Sequence, residues 1–195
     1  MTPQPGRRPS TTRAQISATA INLFTTVGFE ETSVDDIAEA AGIARRTLFR
    51  YFPSKNEIPW GDFDAHLADL RSLLSTIPDD LPMADALTHA LVVFNEVPEM
   101  ERENHRRRMG LLLGVPSLQA HSMIVYADWR QVIASFCAQR LGLEPHDHVP
   151  QTIGWLCLGT ALAAYEKWLA DPHANLDQLL RVGCGVLSAG IESLH

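Results

Sequence analysis

Apolar residues recur at helical spacing along most of the chain, a pattern that predicts an all-α fold. The first such stripe consists of Ile16, Ala20, Leu23, Phe24 and Val27. It follows the polar stretch PSTT, which offers N-capping hydroxyls, and a glycine directly after it is placed to end the helix. The chain is therefore expected to begin with one amphipathic helix.

Two short helices are predicted next, separated by a tight turn at a glycine. Thr32 and Ser33 are candidate caps of the first, which covers 34–41. The second covers about 45–51. Leu48 is spaced to pack back against the first short helix, so the pair is predicted to form a helix-turn-helix.

The remainder of the chain is also predicted to be helical, with prolines between the segments. A longer helix is predicted to start at Ser54 and Lys55, to be kinked or delayed by Pro59, and to run through Leu74. Further helices are expected near 83–96, 100–113, 117–141, 148–170 and 175–193, which brings the total to about nine. No stretch has convincing strand alternation.

The 195 residues are 46% hydrophobic, which is enough to bury a sizeable core in one or two domains. No apolar run approaches the roughly 18 residues of a membrane span, and the N-terminus lacks a stretch of signal-peptide type. We therefore expect a cytoplasmic protein without membrane association. Cys137, Cys157 and Cys184 lack CxxC spacing and have apolar neighbours, so they are interpreted as buried structural thiols, with redox sensing as the alternative.

Charge is unevenly distributed along the chain, whose formal net charge is −7. Residues 1–55 carry seven basic and five acidic groups, whereas residues 56–195 carry nine basic and eighteen acidic groups. This polarity orients a polyanion toward the N-terminal part and repels it from the rest. We therefore divide the chain into a DNA-binding domain at 1–55, with the helix-turn-helix at about 34–51, and a second helical domain at 56–195.

Arginines and aromatic residues are concentrated in the second helix of the predicted helix-turn-helix. An α-helix fits the major groove of DNA, where arginine can donate two hydrogen bonds to one guanine. Arg45 and Arg46 lie at the N-terminal end of that helix, where side chains reach base edges, and the other polar groups are placed for phosphates. The predicted DNA-contacting residues are Thr32, Ser33, Arg45, Arg46, Thr47, Phe49, Arg50, Tyr51 and Lys55. The alternative is an ordinary solvated helix face.

Residues 13–58 resemble the DNA-binding domain of the TetR family of transcriptional regulators. The resemblance is carried by the stretch AINLFTTVGFEETSVDDIAEAAGIARRTLFRYFPSKNEI and by Phe24, Gly28, Thr32, Val34, Ile37, Ala38, Ala41, Gly42, Thr47, Leu48, Tyr51, Phe52, Lys55 and Ile58 at family positions. Ala44, Arg46 and Phe49 stand where the family frequently has a capping residue, a glycine and a tyrosine. Arg46 adds charge at the base-reading end, so G·C pairs are expected in the operator.

The resemblance implies a homodimer that binds palindromic, double-stranded operator DNA, without a cofactor and with a small hydrophobic effector in the C-terminal domain. Within the family, the stretch RRTLFRYFPSKNEIPWGDFDAHLADLRSLL is similar to regulators linked to the mycofactocin gene cluster. That similarity implies a repressor and an acyl-CoA-like inducer. The dimer surface is expected on the last two long helices, which mix glycines and alanines with large apolar residues. A core within one chain is the alternative for these faces.

The middle helices supply the apolar side chains that the resemblance assigns to an effector pocket. The predicted ligand-binding residues are Phe94, Arg106, Met109, Leu113, Met123, Tyr126, Trp129 and Ile133. A basic cluster beside an apolar run consists of Arg102, Arg106, Arg107 and Arg108. Such a combination suits the phosphates and chain of an acyl-CoA. The alternative is a helix surface on which the arginines pair with neighbouring glutamates at i,i+3 or i,i+4 spacing.

Motifs of other protein classes are weak or missing in the sequence. His146, Asp147 and His148 are adjacent groups in a proline-flanked segment and are not predicted to bind a metal. The sequence has no GxSxG, P-loop or HExxH motif, so no catalytic residue is predicted. The remaining alternative function is a helical enzyme, or a lipid- or acyl-CoA-binding module, without a DNA-binding role.

Overall fold

Nine α-helices and two 3-10 helices make up the computed structural model, which describes residues 11–191. The α-helices are α1 (Arg13–Thr26), α2 (Val34–Ala40), α3 (Arg45–Tyr51), α4 (Phe63–Thr76), α5 (Met83–Phe94), α6 (Arg102–Gly114), α7 (Pro116–Leu141), α8 (His148–Ala170) and α9 (Leu176–Ile191). The 3-10 helices cover Lys55–Trp60 and Glu99–Glu101. No β-strand occurs in residues 11–191, and the prediction of an all-α fold is confirmed. The predicted end of the last helix at 193 lies outside the described residues.

The described chain divides into two compact units, one ending at Asp62 and the other beginning at Phe63. The first contains α1, α2, α3 and the first 3-10 helix. α1 begins with a capping box, in which Thr12 Oγ1 accepts from the Gln15 N–H (3.2 Å) and Gln15 Oε1 accepts from the Thr12 N–H (3.0 Å). The core of this unit, at most 5% exposed, consists of Ile16, Ala20, Ile21, Phe24, Phe29, Ile37, Ala38, Leu48, Phe52 and Ile58.

The segment after α3 differs from the predicted single long helix through Leu74. The first 3-10 helix ends at Trp60, Gly61 follows as its C-cap, and α4 begins only after that break. Gly61 has a φ of +64°, a left-handed conformation that favours glycine and interrupts the helix. Because Ile58 and Pro59 are buried, the 3-10 helix belongs to the first unit. That unit therefore ends at Asp62, further along the chain than the predicted boundary at 55.

The second unit packs α4–α9 around one apolar core, and two glycines allow close approach between its helices. A Cβ on Gly154 of α8 would lie 3.1 Å from the carbonyl oxygen of Arg130 on α7. One on Gly183 of α9 would lie 2.7 Å from the Thr160 methyl group on α8. These two small residues thus serve packing within the chain, which was the alternative to a dimer surface.

All three cysteines are free and buried in the second unit, as predicted. Burial raises the pKa of Cys137 to about 12, and burial next to the other two thiols raises the pKa of Cys157. Burial also raises the pKa of Cys184. Protonated, enclosed thiols are poor nucleophiles, so a structural role is favoured over redox sensing.

Among the described helices, no single one combines the length and apolar character needed to cross a membrane. Glu99–Gly114 and Pro116–Leu141 meet that criterion only as a pair, and they bend by 98° at the break between them.

Candidate DNA-binding and effector sites

A glycine turn joins α2 to α3 and builds the predicted helix-turn-helix. Gly42 has a φ of +65°, and its N–H donates to the carbonyl of Glu39 at 2.9 Å. The N–H of Ile43 donates to the carbonyl of Ala38 at 3.0 Å. These two hydrogen bonds form a Schellman motif, which ends α2 and redirects the chain. Gly42→Ala would be strained because L-residues avoid the left-handed region.

The residues before α2 divide into one cap and one buried support. Ser33 Oγ accepts from the Asp36 N–H (3.1 Å), and Asp36 Oδ2 accepts from the Ser33 N–H (2.8 Å), which completes a capping box. The hydrogen bonds from Ser33 lower the pKa of Asp36. Thr32 is only 2% exposed, and its hydroxyl donates to the carbonyl of Gly28 at 2.6 Å. The hydroxyl of Thr32 is therefore not accessible for the predicted contact with DNA.

α3 buries one side and exposes the other. Leu48, and Phe52 just beyond the helix, are each 1% exposed and anchor α3 on the core of the first unit. The exposed residues of α3 are Arg45, Arg46, Phe49 and Arg50, while Thr47 and Tyr51 are half-buried. Three guanidinium groups therefore face solvent on one short helix, and such a surface attracts a phosphate backbone.

The two arginines at the N-terminal end of α3 differ in their partners. Arg45 Nη1 lies 2.6 Å from Asp35 Oδ2 on α2, and the Arg45 guanidinium lies over the Phe49 ring at 5.6 Å. Both charged side chains of this pair are more than half exposed, so the pair is weak and can exchange for a contact with DNA. Arg46 has no ion pair within the described residues. The N-cap residue Ala44 makes no side-chain cap, because its methyl group cannot accept a hydrogen bond.

Two predicted phosphate contacts are engaged inside the first unit. The Tyr51 hydroxyl donates to the carbonyl of Thr11 at 2.8 Å. Lys55 Nζ donates to the carbonyls of Phe29 (2.7 Å) and Thr32 (3.2 Å) and lies 4.3 Å from the centre of the Phe29 ring. In this conformation both side chains support the helix-turn-helix, so a phosphate contact from either requires an exchange of partners.

Lys55→Met is expected to destabilise the protein by about 1–3 kcal/mol, because two carbonyl groups lose a charged donor while the apolar stem is retained. Thermal unfolding measures the effect. Arg50→Met is the matched control: Arg50 is exposed and only lies over the Tyr51 ring, so its replacement should change stability by less than about 0.5 kcal/mol. Equal stabilities of the two variants would contradict the structural role of Lys55.

Comparison with known families identifies the class of protein. The profile of bacterial regulatory proteins of the tetR family matches residues 16–58, and the profile of the MftR C-terminal domain matches residues 81–192. MftR of Mycobacterium tuberculosis, named for transcriptional regulation of mycofactocin biosynthesis, is 53% identical over 190 residues, which cover 97% of this chain and 96% of that protein. The chain belongs to the TetR family of transcriptional regulators. It is therefore a DNA-binding regulator and not an enzyme.

Solved structures of the family have the same fold at low sequence identity. Thermus thermophilus FadR in complex with lauroyl-CoA superposes with a TM-score of 0.61 at 23% identity, covering 90% of this chain and 92% of that one. Bacillus subtilis FadR in complex with stearoyl-CoA superposes with a TM-score of 0.62 at 13% identity, covering 89% and 96%. At these identities the comparison establishes the fold alone.

The predicted ligand-binding residues fall into separate groups in the second unit of this TetR-family chain. Phe94 and Trp129 lie in one core cluster, with ring centres 6.1 Å apart. The same cluster contains Tyr126 and Ile133. The cluster does not include Arg106, Met109, Leu113 and Met123. The predicted set is thus only partly brought together.

Met123 is the clearest departure from the predicted pocket, since it is 50% exposed. The buried face of α7 includes Ser122, Trp129 and Ile133, which recur at i, i+7 and i+11. Met123 lies one residue beyond Ser122 and therefore points about 100° away from that face. Its side chain faces solvent and lines no interior pocket in this structure.

Two members of the basic cluster on α6 pair with glutamates, as the surface alternative predicted. Arg102 Nη1 lies 3.2 Å from Glu99 Oε2, and Arg107 Nε lies 3.1 Å from Glu103 Oε1. Both arginine side chains are more than 40% exposed, so each pair contributes little to stability. These two residues form an ordinary charged helix surface.

The other two arginines of the cluster face inward. Arg106 Nη2 donates to the carbonyl of Leu169 at 3.1 Å, and its guanidinium lies 4.5 Å from the centre of the Trp168 ring. Burial lowers the pKa of Arg108, and the nearby charge of Glu101 opposes that shift. The predicted cluster thus divides into two arginines that pair with surface glutamates and two half-buried arginines that face inward.

A partly buried polar network, not predicted from the sequence, lies beside these arginines. The Tyr165 hydroxyl donates to Asn95 Oδ1 at 2.9 Å, and the Asn95 amide donates to the carbonyl of Leu91 at 2.7 Å. His105 Nε2 lies 2.9 Å from the Tyr165 hydroxyl oxygen. Because the single Tyr165 proton is used on Asn95, His105 Nε2 carries a hydrogen and donates it. The only sequence signal for this network was a histidine within an arginine-rich helix.

The stability of the protein is expected to fall between pH 6.5 and about 4, in part through His105. Burial lowers the pKa of His105 to about 4, and the charges of Arg108 and His66 act in the same direction. Since the folded state binds fewer protons than the unfolded chain, protonation favours unfolding, with up to about 3 kcal/mol lost by pH 4. Urea unfolding of the parent and His105→Gln across this range should give a stability difference that falls as pH falls. A difference independent of pH would contradict the buried, neutral imidazole.

A surface cleft of about 250 Å³ lies between α4, α7 and the segment before α5. Its lining residues are Arg71, Leu74, Ser75, Ile77, Asp79, Val132, Ser135, Phe136, Gln139 and Arg140, and none of them belongs to the predicted ligand-binding set. No group of three or more metal-ligating side chains occurs within residues 11–191. Asp147 of the HDH stretch instead accepts from the N–H of Glu144 at 2.9 Å.

Proposed function

We propose that this regulator is a homodimeric repressor that binds palindromic operator DNA and is released by a hydrophobic small molecule. The observation that carries the proposal is the exposed face of α3, where Arg45, Arg46 and Arg50 surround a helix anchored by Leu48. Its proposed target is an operator of mycofactocin genes in the cytoplasm, because the similarity to MftR extends over nearly the whole chain.

Some exposed side chains of α3 are placed to contact bases, and others are placed to contact phosphates. Arg46 has no ion pair among residues 11–191, so its guanidinium can donate to guanine O6 and N7 in the major groove. Arg45 contacts a neighbouring base or phosphate after leaving Asp35. Thr47 and Arg50 contact phosphates, which fix the orientation of the helix on the duplex.

Two apolar stripes on neighbouring helices support the homodimer. On α8 the exposed stripe consists of Trp155, Leu156, Gly159 and Ala163. On α9 it consists of Val182, Gly185, Val186 and Ala189. The close approach of Gly183 to Thr160 places these stripes side by side. Together they form one surface, the α8–α9 face, on which a Cβ added to Gly159 or Gly185 meets open space.

The α8–α9 face has the composition of a self-association surface. Val182 is 63% exposed and Val186 is 77% exposed, which is unusual for aliphatic side chains at the centre of a helix. Polar residues lie at the ends of the same faces, including Thr152 and Lys167 on α8 and Gln178 on α9. An apolar centre with a polar rim is the anatomy of a protein interface, and a two-fold axis would bring the two copies of this face together.

A long-chain acyl-CoA is the first candidate effector. Two FadR proteins of the same fold form complexes with lauroyl-CoA and stearoyl-CoA, and the second unit of this chain contains the aromatic cluster of Phe63, Phe94 and Trp129. In the proposed mechanism, the ligand binds one arrangement of the dimer better than the DNA-bound one. Operator affinity then falls by the coupling free energy, typically about 1–3 kcal/mol.

An electrophoretic mobility shift with the DNA upstream of the gene tests the proposal. The parent protein should retard this duplex, with an affinity that falls steeply as salt rises, and should ignore an unrelated duplex. Addition of lauroyl-CoA or stearoyl-CoA should release the DNA. Binding of both duplexes with equal affinity would refute the operator, and retention of the complex at saturating acyl-CoA would refute that effector.

A further inference from the structure

Two buried hydrogen-bond donors flank the network of His105 and Tyr165, and neither has an acceptor within the described residues. They are Arg108 Nε on α6 and Trp168 Nε1 on α8. The Trp168 ring centre lies 5.9 Å from that of His105 and 6.0 Å from that of Tyr165. Arg108 follows His105 by three residues on α6, so the two side chains lie on the same face of that helix. The two unpaired donors therefore belong to one site.

The neighbouring polar groups do not satisfy these donors. Tyr165 accepts from His105 and donates to Asn95, so its hydroxyl is already used in both directions. The Asn95 carbonyl oxygen accepts that proton, and its amide is bonded to the main chain. Trp168 offers a donor only. His105 Nδ1 is an acceptor on the imidazole ring, but neither donor bonds it. Both donors are therefore left for a bound group, and an anion can accept from both.

The guanidinium of Arg108 differs from the other arginines of α6. Arg102 and Arg107 have carboxylate partners on the same helix surface, and Arg106 bonds a main-chain carbonyl. Arg108 has no ion pair within the described residues, and the nearby charge of Glu101 only partly offsets the burial that lowers its pKa. A partly buried charge without a close counter-charge is costly, so such a group is retained where a ligand supplies one.

Apolar side chains begin directly beside this site. Asn95 follows Phe94, whose ring lies 6.3 Å from that of Phe63 and 6.1 Å from that of Trp129. Trp129 and Phe94 belong to the apolar core cluster of the second unit. A donor-rich group of side chains next to an aromatic cluster matches a molecule with an anionic end and an apolar body.

We propose that Arg108 Nε and Trp168 Nε1 bind an anionic group of the effector, a carboxylate or a phosphate carried by an apolar chain. His105, Tyr165 and Asn95 hold this anion site in place. The inference rests on the proposed ligand-responsive regulator and adds the chemical class that its effector must contain. Of the four arginines in the predicted basic cluster, it assigns the recognition to Arg108, in place of Arg106 in the predicted ligand-binding set.

The first test needs no ligand. If Arg108 is kept for binding, Arg108→Met should leave the thermal stability of the ligand-free protein unchanged or raise it by roughly 2–4 °C, because a partly buried charge without an ion pair is removed. Arg107→Met, which removes the adjacent exposed arginine, is the matched control and should change the melting temperature by less than about 1 °C. A loss of several degrees in Arg108→Met alone would assign Arg108 to the structure and overturn the proposal.

The second test compares laurate, lauroyl-CoA and dodecanol, which share one chain length, by isothermal titration of the full-length protein. In the parent and in Arg107→Met, a charged probe should bind at least about tenfold more tightly than dodecanol. In Arg108→Met that preference should disappear, with dodecanol affinity retained. Arg108→Lys, which keeps the charge without the Nε donor, should bind the charged probe with intermediate affinity.

The outcomes separate this proposal from the proposed function. If laurate affinity falls in Arg108→Met, the group that Arg108 binds is a carboxylate. If only lauroyl-CoA affinity falls, Arg108 binds the phosphates. Equal affinity of a charged probe for the parent and Arg108→Met, or no binding of any probe to the parent, overturns the anion site. Failure of the parent to bind operator DNA would instead remove the repressor, whatever the titrations give.

Discussion

Val186→Glu is expected to convert the proposed dimer into a monomer and to weaken operator binding by roughly 100-fold or more. Val186 is the most exposed residue at the centre of the α8–α9 face. In a two-fold interface the substitution introduces two carboxylates into one buried surface, and neither has a partner to replace water. Size-exclusion chromatography with light scattering measures the mass, and fluorescence anisotropy measures operator affinity.

Ile124→Glu is the matched control for this experiment. Ile124 is also a β-branched residue on a helix of the second unit, and it is 66% exposed, but it lies on α7 outside the α8–α9 face. The variant should keep the mass and the operator affinity of the parent. A Val186→Glu protein that remains dimeric would place the interface elsewhere and remove the proposed role of the last two helices.

Arg46→Ala is expected to reduce discrimination at one base pair of the operator by about 1–3 kcal/mol, or roughly 5- to 150-fold. The Arg46 guanidinium is exposed at the N-terminal end of α3 and has no ion pair in the described chain, so DNA is its natural partner. Affinities for the operator and for single-base variants measure the effect. The preference for a G·C pair at one position should relax while preferences at the other positions remain.

Arg50→Ala provides the contrast for that measurement. Arg50 lies in the last turn of α3 and is expected to contact phosphate, so its loss should weaken all duplexes alike and lower the salt dependence of binding. A uniform loss of affinity in Arg46→Ala as well would assign both arginines to phosphate contacts. Base readout by α3 would then need another residue.

The helix-turn-helix was predictable because local chemistry determines it. Gly42 is needed at the left-handed turn, Ser33 caps α2, and the spacing of Leu48 dictates which side of α3 is buried. Because Leu48 is buried, the arginines on the opposite side of α3 are exposed. By contrast, the break after α3 depends on Gly61, whose φ of +64° could not be read from the sequence. The nearby Pro59 indicated only that the helix would be kinked or delayed.

The effector region was less predictable because identical residues have different surroundings there. Arg107 and Arg108 are neighbours in sequence, yet one pairs with a glutamate at the surface and the other has a buried Nε. Gly159 and Gly183 belong to similar small-residue patterns, but one meets open space and the other meets a methyl group of α8. Only the packing of α6, α8 and α9 against their neighbours distinguishes the members of each pair. The helical periodicity of the sequence does not show where two helices cross.

The three buried cysteine thiols can report how often the helices of the second unit open locally. Cys137, Cys157 and Cys184 are buried, and their raised pKa values keep them protonated near neutral pH. Alkylating reagents can therefore modify them only when helices separate. The rate of iodoacetamide labelling, followed by mass spectrometry, would report how often that happens, without any engineered probe.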